Sequence, residues 1–207
     1  MSPPFISVAQ AKTGTGKTLA FLVPVIQRII EAQPELERPS RKRATADDIR
    51  AIVISPTREL AEQIGEEARK LARNTGVRVQ TAVGGTQKNA MLRKTRAEGC
   101  HLLIATPGRL NDLLSDPTSG IAAPRLAALV LDEADRMLEV GFKAELESIV
   151  SLLPDRNIVP RQTLLYSATL PKNVVNIART YINPANFEFV QTVRPDDTPT
   201  HERVPQF

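Results

Sequence analysis

Leu129-Val130-Leu131-Asp132-Glu133-Ala134-Asp135 is the stretch on which the fold turns. Its first three residues are apolar and suited to strands, so they read as a strand covered on both faces. The strand ends in a carboxylate, and in open parallel α/β sheets that carboxyl end is where ligands bind. Asp132 can hold magnesium there, directly or through water. Glu133 can orient and deprotonate an attacking water. An acidic strand-to-helix cap, with Asp132 ahead of a short helix, is the alternative.

The second landmark lies upstream, at Ala11-Lys12-Thr13-Gly14-Thr15-Gly16-Lys17-Thr18. Gly14 and Gly16 permit a tight turn whose N–H groups can surround a β-phosphate. Lys17 can reach the β/γ oxygens as a point charge, and Thr18 can offer a hydroxyl to magnesium. A helix beginning near Lys17 aims its positive end at the same phosphates. Ala11 stands where the general pattern has glycine, and the bland alternative is a Gly-Thr loop that binds nothing. With the carboxylate strand in the same sheet, the pair points to ATP and Mg2+. The expected nucleotide contacts are Lys12, Thr13, Gly14, Thr15, Gly16, Lys17 and Thr18. The expected metal ligands are Thr18 and Asp132, and the expected catalytic groups are Glu133, Asp132 and Lys17.

Working outward, short β-rich runs predict strands at 6–9, 51–55, 77–83, 101–105, 126–132, 162–167 and 187–190. Helical spacing joins Leu19, Leu22, Val23, Ile26, Ile29 and Ile30, with Pro24 expected to bend the helix. Leu60, Ile64, Ala68 and Leu71 mark a second helix. Leu146, Ile149, Val150 and Leu153 mark another, and Val174, Ile177, Ala178 and Tyr181 the last. Strands alternating with helices imply right-handed crossovers, hence an α/β fold with a parallel sheet flanked by helices.

The segment 31–50 breaks this rhythm. It has two prolines, five acidic and five basic side chains and few large apolar residues, and it reads as a flexible, solvated insertion loop. Arg41-Lys42-Arg43 within it is either an RNA or targeting patch or simply part of a charged loop. Residues 192–207 have three prolines and no helical period, and read as a linker. Net charge is +4, a mild surplus that fits a polyanionic partner. Cys100 is the single cysteine, which excludes a disulfide framework and a cysteine zinc site and reads as a small buried apolar residue in a reducing, intracellular setting. No apolar run is long enough to span a membrane, so no membrane partner is expected. His101 and His201 read as surface or satisfied-core residues, and the phenylalanines as core.

These motifs, together with several others, resemble those of the DEAD-box RNA helicases. Residues 11–18 are similar to motif I, Ala11 included. Pro56-Thr57-Arg58-Glu59-Leu60-Ala61 resembles motif Ia, Gly84-Gly85 the GG element, and Thr106-Pro107-Gly108-Arg109-Leu110 motif Ib. Asp132 to Asp135 resembles motif II and Ser167-Ala168-Thr169 motif III. A finer resemblance, to fungal mitochondrial members that act as RNA chaperones for structured introns, rests on residues 105–109, 138–142 and 200–203. It implies a mitochondrial setting, with nucleus or cytoplasm as alternatives.

The resemblance implies a RecA-like P-loop NTPase lobe over 1–191 and the start of an interlobe linker at 192–207. Pro56, Thr57, Arg58, Gly84, Gly85, Thr106, Pro107, Gly108 and Arg109 would contact the RNA backbone, with Arg58 and Arg109 bonding phosphate oxygens. Asp135, Ser167 and Thr169 would couple the ATP side to the RNA side, while Thr169 ahead of Pro171 also suits a helix N-cap. The family carries a glutamine-containing adenine motif before motif I and a second lobe with completing arginines. Ten residues precede Ala11, and Gln10 is too close to the loop for that part. Weak nucleotide binding and little hydrolysis are therefore expected of this chain alone, with lobe closure on ATP and RNA as the working cycle of a two-lobe enzyme. The alternative is a non-catalytic RNA- or protein-binding module made of the same lobe.

Overall fold

The computed structural model describes residues 6–10, 16–39, 44–169, 174 and 187–191. All seven expected strands are present: β1 (Ile6–Gln10), β2 (Ala51–Ile54), β3 (Val79–Ala82), β4 (Leu102–Ala105), β5 (Ala128–Leu131), β6 (Gln162–Ser167) and β7 (Phe187–Gln191). They form one sheet in the order β3-β4-β2-β5-β6-β1-β7, with every pairing parallel. The helices are α1 (Lys17–Ala32), α2 (Arg58–Ala72), α3 (Lys88–Glu98), α4 (Pro107–Ser115), α5 (Ala134–Val140) and α6 (Lys143–Leu152).

The period-two alternation of a strand divides the core between the two sheet faces. Ile52, Ile54, Leu103, Ala105, Leu129 and Leu131 belong to one buried cluster, shared with Leu110 and Leu113 of α4 and Leu146 and Ile149 of α6. Ala51, Val53, Leu102, Ile104, Ala128 and Val130 belong to the other, shared with Phe21, Leu22, Val25 and Ile29 of α1 and Ala61, Ile64 and Ala68 of α2. Each fully buried leucine or isoleucine contributes about 1.5–3 kcal/mol. Small residues set how closely α2 can lie on the sheet. A Cβ added to Gly65 would stand 2.3 Å from Thr81 Cγ2 of β3.

Several expectations need correction. In α1 the core-facing residues are Phe21, Leu22, Val25, Ile26 and Ile29, while Leu19 and Val23 are about half exposed at 48% and 51%. The helix is continuous across Pro24. In α2, Leu71 faces outward and Ala72 inward. The segment 31–50 is not a solvated loop throughout. α1 runs to Ala32, and a 3-10 turn follows at Pro34–Leu36. Leu36, Ala44, Ile49 and Arg50 are buried. The Gly76 N–H donates to Leu36 O at 2.8 Å, and the Cys100 N–H to Thr45 O at 3.1 Å. Arg41-Lys42-Arg43, the helix around Ile177 and Tyr181, and the linker 192–207 lie outside the described residues.

α3, α4 and α5 were not marked by apolar spacing: α4 is nine residues long and buries Pro107, Leu110 and Leu113, and the other two give less. Only Leu92 and Thr95 of α3 are buried, and α5 is a single short helix of seven residues. Cys100 is fully buried, and burial pushes its thiol far up.

Candidate functional site

Strand order places the motifs side by side along the carboxyl edge of the sheet. From the β3 side they run: Gly84-Gly85 after β3, Thr106 after β4, Pro56 after β2, Asp132 after β5, Ser167 at the end of β6, and the residues after β1. Motif III therefore sits between the carboxylate strand and the phosphate-loop strand. The RNA-type elements occupy the three tips on the other side of Asp132.

Lys17 opens α1, and Gly16 before it adopts a left-handed φ of 83°. That conformation is open to glycine and costly for most residues. Residues 11–15 lie outside the described residues, so of the loop only Gly16, Lys17 and Thr18 are placed. Lys17 and Asp132 are both buried, at 9% and 3% exposure. Burial raises the Asp132 carboxyl to about 6, Lys17 opposes this, and Glu133 adds to it. The Lys17 Nζ and one carboxylate oxygen of Asp132, Oδ1, are buried without a hydrogen-bond partner. A buried ammonium and a buried carboxylate oxygen left this way cost several kcal/mol between them, roughly. Both are satisfied by a ligand bearing phosphate oxygens with a cation, so the residues present fit a magnesium–nucleotide. Among the described residues no group of three His, Cys, Asp or Glu side chains forms a metal cage.

Glu133 is the N-cap of α5 and stands in the left-handed region at φ 51°. Its Oε2 accepts from Arg136 Nη1 at 3.3 Å. Next to it the motif II–motif III contact is fully formed. Asp135 Oδ2 accepts from both the Thr169 N–H (2.9 Å) and the Thr169 hydroxyl (2.8 Å), and Oδ1 accepts from the Arg136 N–H (3.0 Å). Ser167 Oγ accepts from the Asp135 N–H at 3.2 Å and donates to Thr169 O at 2.6 Å. Burial pushes the Asp135 carboxyl up, but the Thr169, Arg136 and Ser167 donors outweigh it and leave it below the usual range. The N-cap role expected of Thr169 depends on residues outside those described.

The three RNA-type elements also touch one another. Thr57 caps α2, its Oγ1 accepting from the Leu60 N–H at 3.3 Å. Thr106 Oγ1 accepts from the Gly84 N–H at 3.2 Å, which ties the GG element to motif Ib. Gly85 has a φ of 75°, and a Cβ there would meet the Arg58 guanidinium at 3.3 Å. Pro56, Thr106 and Pro107 are buried, whereas Arg58, Gly84, Gly85 and Gly108 are exposed. The buried residues therefore shape the surface and the exposed ones form it.

Arg109 has partners within the chain that its motif did not announce. Its guanidinium donates to Thr86 Oγ1 (3.2 Å) and Thr86 O (2.9 Å), and only 11% of its side chain is exposed. In this structure it braces the turn after Gly85 rather than presenting its charge. Sequence reasoning missed Thr86, although it directly follows the glycine pair, and it missed Lys88. Lys88 Nζ holds Asp112 (2.8 Å) and Asp116 (3.0 Å), joining α3 to α4. His101 is a satisfied core residue. Its Nδ1 accepts from the Arg78 N–H at 2.9 Å, and burial lowers its pKa.

A parallel α/β lobe with a buried lysine at the start of its first helix, and a buried aspartate at the tip of the next strand but one along the same sheet edge, has the architecture of a P-loop nucleotide-binding lobe. Residues 6–177 match the DEAD/DEAH box helicase family, and the chain belongs to that family. It is 72% identical over 201 residues to the mitochondrial ATP-dependent RNA helicase cyt-19 of Neurospora crassa, covering 97% of this chain and 32% of that protein. It is 59% identical to the mitochondrial ATP-dependent RNA helicase mss116 of Aspergillus fumigatus, covering 96% and 30%. The chain thus spans about a third of the length of these relatives. Among solved structures, Mss116p bound to single-stranded RNA and AMP-PNP superposes with a TM-score of 0.80 at 34% identity, covering 99% of this chain and 40% of that one. A DEAD box protein from Methanococcus jannaschii does so with a TM-score of 0.73 at 29% identity, covering 91% and 46%.

Proposed function

We propose that this chain is the ATP- and RNA-binding lobe of an ATP-dependent RNA helicase that works as an RNA chaperone, with Mg2+ as the nucleotide's cation. The observation that carries this is the order of groups along one sheet edge: phosphate-loop lysine, Ser167, Asp132, then the RNA-type turns. Lys17 binds the β/γ oxygens, and residues 12–16 give the phosphates their N–H groups. Thr18 and Asp132 hold the cation, which when bound neutralises charge on the transferring phosphoryl group. Glu133 takes the proton from the attacking water. The Asp135, Ser167 and Thr169 contacts pass the state of the phosphate side to the RNA side. The exposed turns at Thr57-Arg58, Gly84-Gly85 and Gly108 grip the RNA backbone through N–H groups and charge, with no base-edge reading and hence slight sequence preference.

Residues 1–191 make up the nucleotide-binding domain, and 192–207 lead toward a second lobe that completes the site. ATP and RNA then drive closure of the two lobes, which bends the RNA. The relatives' mitochondrial designations favour a mitochondrial setting.

The test is phosphate release from ATP, with and without single-stranded RNA, by this chain alone and with a DEAD-box second lobe added in trans. Release confined to the full mixture is the expected result. Silence in every mixture would replace the enzyme reading with that of a binding module.

A further inference from the structure

Glu133 is held in an uncommon way. Among the described residues it is the single non-glycine with positive φ, at 51°. An L-residue there costs about 1–2 kcal/mol, so neighbours have to hold it. They do so from both sides. The Asp132 N–H donates to Ile54 O at 2.9 Å, and Glu133 O accepts from the Met137 N–H at 3.1 Å. The backbone thus turns the Glu133 side chain toward Arg136, whose guanidinium is 3.3 Å from Oε2. The Glu133 side chain is 15% exposed and that of Arg136 54%.

The backbone of Arg136 is itself fixed. Its N–H bonds Asp135 Oδ1, while Asp135 Oδ2 holds the N–H and hydroxyl of Thr169. An unbroken run of contacts therefore leads from motif III through Asp135 and Arg136 to the Glu133 carboxylate. As a stabilising ion pair this one is minor, since exposed pairs contribute about 0–1 kcal/mol. Its consequence is directional. A carboxylate with one oxygen engaged no longer rotates freely, and its other oxygen has a set aim.

We propose that Arg136 is a positioning residue for Glu133, and that the path Thr169–Asp135–Arg136–Glu133 aims the carboxylate that faces the attacking water. This rests on the reading of Glu133 as the base. Motif III then has a route to the base that does not pass through the nucleotide. A shift of Thr169 moves Asp135, the Arg136 backbone and finally the carboxylate.

The test has two arms. In the mixture of chain, second lobe, RNA and ATP, Arg136→Ala lowers kcat about tenfold, in keeping with the cost of misplacing a reacting group. The KM for ATP and the RNA affinity stay within twofold, and Arg136→Lys restores at least half of the lost rate. An unchanged kcat, a change in KM alone, or an equal loss in Arg136→Lys overturns the proposal.

If the wild type shows no turnover in any mixture, it is the functional reading that fails. The pairing is then decided on the chain alone by NMR of the Arg136 guanidinium, with melting curves confirming that each variant folds. Slowed guanidinium rotation in the wild type, lost in both Glu133→Gln and Thr169→Val, supports the path. A freely rotating guanidinium in the wild type, or one unaffected by Thr169→Val, overturns it.

Discussion

Lys17 Nζ and Asp132 Oδ1 are buried atoms of opposite charge that lack hydrogen-bond partners. Each has a separable consequence. Lys17→Ala removes the ammonium proposed to meet the β/γ oxygens, and nucleotide binding should disappear in a titration with a fluorescent ATP analogue while the fold persists. Asp132 makes a prediction about stability. Its carboxyl sits at about 6 in the fold against 3.8 for the free side chain. The folded state therefore keeps its proton where the unfolded chain has released it. Folding stability falls as pH rises from about 4 to about 6 and stays lower above that. Two units correspond to roughly 3 kcal/mol at most. Asp132→Asn lifts this cost, so in nucleotide-free protein it should raise Tm at pH 7.5 by several degrees, at about 2–4 °C per kcal/mol for a domain of this size. The gain should vanish by pH 4. Asp135 titrates in the opposite sense, but it is common to both proteins and cancels in the difference. A gain that is the same at pH 4 and pH 7.5 would contradict the assignment.

At the scale of elements, Gly99 shows where the sequence was silent. It ends α3 at φ 75°, and an added Cβ would lie 2.3 Å from both Cβ and the carbonyl oxygen of Ala44. Backbone cannot yield as a side-chain tip can. Gly99→Ala should lower Tm by roughly 5 °C or more, from a loss above about 2 kcal/mol. A loss within 1 °C in a thermal melt would mean that the segment at Ala44 is free to move. That segment read as a solvated loop because its large apolar residues are few, yet Leu36 and Ile49 suffice to anchor it. The strands were legible because buried parallel strands are written as apolar runs. α1, α2 and α6 were legible from their apolar spacing, although half-exposed Leu19 and Val23 blurred the face of α1. α3 could not be read, since Leu92 and Thr95 are its only buried residues. The positions of the site motifs were legible because each follows a strand. Their cross-contacts were not. Nothing in the spacing tells that Arg109 turns to Thr86 or that Thr106 meets the Gly84 N–H.

Taken as a whole molecule, the proposed nucleic-acid face is built mostly of turns and helix starts, with less free charge than the motif letters suggest. Arg58 is exposed and pairs with Glu62 at 3.1 Å, while Arg109 is committed to Thr86. Backbone N–H groups that meet phosphate displace few counterions. The slope of log K against log salt therefore counts the cations actually presented, at about −0.7 per phosphate neutralised for a single strand. With Arg58 as the main exposed cation of these motifs, able to exchange Glu62 for a phosphate, single-stranded RNA should bind this chain with a slope of about −0.7, shallow for an RNA-binding surface. Arg58→Ala should flatten that slope by about 0.7. Arg109→Ala should weaken binding by a different route, through loss of the Thr86 brace, leaving the slope unchanged and nucleotide binding intact. Fluorescence anisotropy across a salt series separates the two. A slope that flattens equally in both variants would show that Arg109 leaves Thr86 and takes a phosphate when RNA arrives, and would restore the charge-contact role that its place in Thr106-Pro107-Gly108-Arg109 first suggested.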